Sequence, residues 1–159
     1  MNVVAACGGR LQTASVDREQ RPPSEEVREL VEAATALTER RSDVLALALV
    51  GSWARDEATA QSDVDFVLVS EDPEGYLTEE SWVRELGGRS PEPPRNWGNV
   101  TERRFRRASG PEVDVGITSV VWVAVDPVDP GTAAVVSHGF QALSDPHRLL
   151  RRLEAAVAA

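Results

Sequence analysis

Two strand-length apolar runs stand close together in the chain: Val44 to Val50, and Asp63 to Val69, whose only polar members are the two aspartates at its head. Runs this short and this apolar read as buried strands, the first of them central in a sheet. Upstream, Val27, Leu30, Val31, Ala34, Leu37 and Thr38 recur at a spacing of three to four, which predicts an amphipathic helix to about Arg41. Ser24 stands where a cap belongs, with Glu25 and Glu26 in the first turn. Ser52 to Ala58, between the two strands, predicts a short helix. Glu79 to Gly87 predicts another, with Trp82, Val83 and Leu86 on one side, and the Gly- and Pro-rich residues 87–98 predict a loop. Val100 to Ala108 and Glu112 to Ile117 flank Ser109-Gly110-Pro111, the pattern of a β-hairpin with a Gly-containing turn. Gly131 to Ser137 reads as a helix and Gly139 to Leu143 as an edge strand. Asp145-Pro146 reads as the cap and first position of a last helix, with Leu149, Leu150 and Leu153 as its stripe. Together these predict an α+β fold, α/β-layered, with a mixed β-sheet and flanking helices. Residues 1–23 end in Arg21-Pro22-Pro23 and read as an N-terminal arm; 24–159 reads as a single domain.

Composition narrows the class. The chain has 159 residues, 42% apolar and 27% charged, the balance of an ordinary globule. Its formal net charge of −9 argues against a general nucleic-acid binder, which needs a basic footprint. Cys7 is the only cysteine, so an intrachain disulfide and a thiolate zinc site are both excluded. The start Met-Asn-Val-Val-Ala-Ala-Cys-Gly-Gly lacks the basic segment and the apolar length of a signal peptide. No apolar run approaches the ~20 residues of a membrane span, and a cytoplasmic location is the default expectation.

The candidate chemistry lies where the first strand ends and the second begins. Gly51-Ser52 is followed after ten residues by Asp63-Val64-Asp65. On a strand, residues i and i+2 share a face, roughly 7 Å apart. Asp63 and Asp65 therefore converge on one side, and Val64, Phe66 and Leu68 point to the other. Like charges so placed repel unless a cation joins them. Hard oxygen ligands suit Mg²⁺, which commonly also takes oxygens from a phosphate. The Gly-Ser turn offers backbone N–H groups, a hydroxyl and no Cβ at Gly51, the features that a phosphate needs.

This arrangement resembles the DNA polymerase β-like nucleotidyltransferase superfamily, whose signature is Gly-Ser or Gly-Gly, a spacer of about ten, then Asp-x-Asp or Asp-x-Glu. Gly51, Ser52, Ala54, Arg55, Ala58, Ser62, Asp63 and Asp65 fit the variant typical of its small bacterial, minimal members. The similarity runs from about Val44 to Ile117. Where those members have Gly after the Arg, this chain has Asp56. The resemblance implies a nucleotidyltransferase core and transfer of a nucleoside monophosphate from an NTP to a hydroxyl, with release of pyrophosphate. It implies two Mg²⁺ ions, with Mn²⁺ as a substitute, held by Asp63, Asp65 and a third carboxylate. Asp114, between Val113 and Val115, has the family setting for the third; Glu112 lies two residues earlier on the same face and competes for that role. Gly51, Ser52 and Arg55 are then the nucleotide-binding residues.

The remaining candidates carry less. Arg55 also has Asp56 and Glu57 beside it as ion-pair partners. Arg103 and Arg107 fall on one face of their strand, and Arg104 and Arg106 on the other, so that one pair can face a triphosphate and a solvated hairpin accounts for both. Trp53 reads as core or rim, with base stacking as the alternative. His138 and His147 lack metal-ligand spacing. Ser52 has no Gly-x-Ser-x-Gly elbow around it, which removes a hydrolase triad. Two acceptors remain open: an aminoglycoside-like small molecule, or a hydroxyl side chain of a partner protein. The short segment after Ile117 implies that a second copy or a partner protein completes the acceptor site. A non-catalytic nucleotide- or partner-binding module on the same fold is the alternative function.

Overall fold

A computed structural model of the chain describes residues 23–159, with the side chains of Pro23 and Ser24 excepted. The arm over 1–23 lies outside the described residues save for the backbone of Pro23, with which the first helix begins, so Ser24 is already within that helix and is not its cap. The elements in order are α1 (Pro23–Glu39), β1 (Val44–Val50), β2 (Val64–Ser70), α2 (Pro73–Thr78), α3 (Ser81–Glu85), β3 (Gly88–Arg89), β4 (Arg95–Asn96), β5 (Val100–Arg107), β6 (Val113–Thr118), a 3₁₀ turn (Val120–Val123), α4 (Pro130–Ser137), β7 (Phe140–Ser144) and α5 (Leu149–Ala158). The strands form one seven-stranded sheet in the order β3-β5-β6-β2-β1-β7, with β4 also paired to β5. β2 and β6 run parallel and the other pairs antiparallel, so the sheet is mixed, as the pattern of elements predicts.

The strand alternation sorts the core into two layers. Leu47, Leu49, Val64, Phe66, Leu68 and Val115 bury against α1, α2 and α3 on one face. Trp82 is the centre of that layer, edge-on to Tyr76 at 5.8 Å and to Phe105 at 6.1 Å. On the other face Ala46, Ala48, Val50, Val67 and Val69 pack with Trp122, Val136, Leu150 and Leu153 from the 3₁₀ turn, α4 and α5. Among the described residues no helix is long and apolar enough to cross a membrane.

Several elements differ from the sequence reading. Residues 52–56 form a turn and no helix. Ala54 and Arg55 donate to the Gly51 carbonyl at 3.1 and 3.3 Å, and Glu57 donates to the Ser52 carbonyl at 3.0 Å, closing the turn after one round. Asp56 takes φ of 60° there, the left-handed position that ends a helical turn. The loop over 87–98 contains β3 and β4, each pairing with β5. The helix over Glu79–Gly87 shrinks to α3, and α2 precedes it, capped by Asp72, which accepts from the Gly75 N–H at 3.3 Å. α5 begins at Leu149, not at Pro146. Asp145 still caps it, its two oxygens accepting from the Leu150 and Arg151 N–H groups at 3.1 and 2.9 Å.

Candidate active site

Parallel pairing of β2 with β6 sets Asp65 directly beside Asp114. Asp63, just ahead of β2, is on the same face of the sheet, because Val64 between them is fully buried in the opposite layer. Antiparallel pairing of β5 with β6 then places Arg104 across from Asp114. Its guanidinium clasps that carboxylate through two bonds, Nε to Oδ1 at 2.7 Å and Nη2 to Oδ2 at 2.9 Å. The same guanidinium stands 3.8 Å from Asp63, 3.4 Å from Glu102 and 3.7 Å from Glu112.

Negative charge exceeds positive charge at this point. Burial first, then Asp114, a hydrogen bond to it that only the protonated acid makes, and Asp63 push the Asp65 carboxyl up to about 7. Burial also raises the Asp114 carboxyl, against the pull of Arg104. The Arg104 guanidinium is held in its charged form chiefly by its bonds to Asp114. Two crowded carboxylates sharing a proton are a pair short of a cation.

The Gly-Ser turn abuts this cluster. Gly51 takes φ of +75°, and a Cβ built on it would stand 2.8 Å from Asp65 Oδ2. A side chain there would need a backbone conformation that L residues rarely adopt and a shift of the Asp65 carboxylate tip. The turn is braced from β7: the Gly51 N–H donates to the Gly139 carbonyl at 3.2 Å. Gly139, at φ of +127°, lies so close that its own Cβ would stand 2.6 Å from the Gly51 carbonyl oxygen. Arg55 completes the brace, donating from Nε to Glu57 at 2.7 Å and from Nη1 to the His138 carbonyl at 2.8 Å. Ser52 follows Gly51, half-buried. Trp53 packs against the first core layer and donates its indole N–H to the Ser62 carbonyl at 3.1 Å.

A cleft of about 530 Å³ opens beside Asp65 and Asp114, floored by Val50, Val67 and Gly116 and flanked by Trp97, Trp122 and Thr132. Among the described residues its charged lining is Asp65, Glu102, Asp114 and Asp129, with no lysine or arginine. Trp97, 64% exposed, is fixed at the rim by its indole N–H on Glu102 at 2.8 Å.

The structure thus gathers Asp63, Asp65, Asp114 and Gly51 in one place. It turns Arg55 toward Glu57 and His138, and gives Glu112 to Arg104 and Arg106. The pattern names Arg104 only as half of a pair that can face a triphosphate, whereas the structure turns it onto carboxylates, and Glu102 carries no signal of its own. Counting symmetrically across the Ser109-Gly110-Pro111 turn pairs residue 104 with Gly116 and 106 with Asp114, whereas the observed register sets Arg104 across from Asp114, so the turn alone does not give this pairing. Among the described residues, no group of three or more His, Cys, Asp or Glu side chains stands ready to hold a metal ion. The donor types nonetheless fit a hard divalent cation: oxygen ligands only, crowded, and short of positive charge.

Among known proteins, a family model described as a nucleotidyltransferase domain matches residues 30–123. No curated protein matches the chain. The matched stretch runs from α1 through the 3₁₀ turn and leaves α4, β7 and α5 outside it. It takes in the Gly-Ser turn and all three aspartates and covers more than half of the chain, which therefore belongs to the DNA polymerase β-like nucleotidyltransferase family, whose chemistry is the transfer of nucleoside monophosphates.

Proposed function

We propose that this protein transfers a nucleoside monophosphate from an NTP to a hydroxyl acceptor and releases pyrophosphate, with Mg²⁺ held by Asp63, Asp65 and Asp114. The observation that carries the reading is the contact of loop and carboxylates: a Cβ on Gly51 would displace the Asp65 carboxylate tip. A phosphate on the turn and a cation on the aspartates are then neighbours. Bound there, Mg²⁺ (or Mn²⁺) supplies positive charge to the phosphate oxygens and lowers the pKa of an oxygen nucleophile. The 51–52 backbone and the Ser52 hydroxyl hold the terminal phosphates. Asp114, its carboxyl raised by burial, takes the proton of the acceptor hydroxyl. Arg55 serves the nucleotide by holding the turn against β7.

The cleft receives the acceptor. Among the described residues, four carboxylates and no cationic side chain line it, which favours a neutral or cationic acceptor over a polyanion such as nucleic acid. An aminoglycoside-like molecule and a hydroxyl side chain of a partner protein both meet that condition. A second copy or a partner protein would complete the site on its open side. One observation favours a second reading, a nucleotide-binding module without turnover: Arg104 already engages both oxygens of Asp114.

Pyrophosphate release separates the two. With each NTP and a panel of hydroxylated acceptors, the wild type should release pyrophosphate only when Mg²⁺ is present, and the Asp63→Asn, Asp65→Asn double variant should release none. Tight nucleotide binding without release on any acceptor would establish the module instead.

A further inference from the structure

Among the described residues, Arg104 is the basic side chain that reaches the aspartates of the site. It engages two groups of carboxylates at once. Toward β2 and β6 it clasps Asp114 at 2.7 and 2.9 Å and approaches Asp63 at 3.8 Å. On its other side, Glu102 lies 3.4 Å away and Glu112 3.7 Å away, both largely buried. Arg106, the other cation here, is 79% exposed and touches Glu112 alone. Among the described residues, five carboxylates, counting Asp65, surround one inward guanidinium. One monovalent cation cannot neutralise such a set, and the bidentate clasp fills the bonding edge of the carboxylate that the metal reading needs.

We propose that Arg104 is an exchangeable counter-cation: it occupies Asp114 in the metal-free protein and shifts onto Glu102 and Glu112 when a divalent cation takes Asp114. This inference rests on the metal reading given above. The side chain is about one-third exposed, so it has room to move outward. Glu102 and Glu112 are already near contact distance, so the displaced guanidinium exchanges one carboxylate for others and is never left unpaired. The exchange keeps the metal-free site intact and makes divalent cations compete with a residue of the same chain.

The test is a titration of nucleotide-free protein with Mn²⁺, followed by calorimetry and by the electron paramagnetic resonance signal of free Mn²⁺. The discriminating variant is Arg104→Lys. It keeps the charge and loses the two-pronged fork. Competition predicts Mn²⁺ affinity about fivefold higher than wild type in Arg104→Lys and about tenfold or more in Arg104→Gln. In the wild type, Mg²⁺ should also shift the ¹⁵Nε resonance that Arg104→Lys removes, a readout that needs no variant to fold beyond the one used for assignment. Equal affinity in wild type and Arg104→Lys, with no ¹⁵Nε shift, would reduce Arg104 to background charge and overturn the exchange. Lower affinity in Arg104→Lys would mean that Arg104 orients Asp114 for the metal, and would overturn it too. If wild type and both variants bind no Mn²⁺ in the nucleotide-free protein, this exchange is overturned; if they also bind none together with a non-hydrolysable NTP, the metal reading itself fails.

Discussion

A methyl group on residue 51 would press into the Asp65 carboxylate, which already has Asp114 and Asp63 beside it. Its folded carboxyl stands at about 7 against an ordinary value of 3.8, so folding favours the protonated form. The sign follows: below the ordinary value the group adds no penalty, the penalty grows as pH rises through that window, and it is complete above about 7. In buffer with a chelator, Asp65→Asn should therefore melt higher than wild type at pH 8, with the gap closing toward pH 4. Partial exposure screens the repulsion, so a gain of about 2–4 °C is the scale, the response of a chain this long to roughly one kcal/mol. Thermal melts across pH measure it; a wild type that melts higher than the variant at pH 8 would show that ionised Asp65 is not under strain. Sequence alternation alone gave the shared face of Asp63 and Asp65 and the split of Arg104 and Arg106 from Arg103 and Arg107. It did not show that Arg104 reaches Asp114, because a two-residue period assigns a side chain to a face and leaves its partner to the register of the next strand.

Among the elements, the brace between the Gly-Ser turn and β7 is the least visible in sequence and the most consequential. Gly139 meets Gly51 across 88 positions of chain, with both glycines at positive φ and the two backbones in contact. Gly139→Ala must both strain the backbone and push the turn away. The expected loss is about 1–3 kcal/mol in urea unfolding, together with weaker nucleotide binding. A variant with unaltered stability and affinity would show that the turn holds its shape without β7. The first two strands, the hairpin and α1 were legible because each has a run of one period between clear breaks. β3 and β4 were not, since two residues carry no period. Asp-Pro pairs mark three helix starts, with Asp72 and Asp129 as direct caps and Asp145 reaching its helix from four residues ahead of Leu149. The 52–58 segment was read as a helix because its composition allows one; Asp56, at φ of 60°, ends it after a single turn.

At the scale of the whole molecule, helices pack on both faces of the sheet, and among the described residues a cleft opens at the head of β2 beside β6 and β5. That opening holds the three aspartates, the braced turn and the acidic cleft, in a chain whose net charge is −9. Such a surface repels a free triphosphate and admits one that arrives with its metal, so metal and nucleotide should bind as a unit. The central claim is that Asp63 and Asp65 bind nucleotide through a divalent cation. Calorimetric titration with a non-hydrolysable NTP, with Mg²⁺ and with chelator, on wild type and on the folded Asp63→Asn, Asp65→Asn variant, tests it directly. The account predicts binding by the wild type in Mg²⁺ alone and by the variant in neither condition. Equal binding by wild type and variant in Mg²⁺ would contradict it.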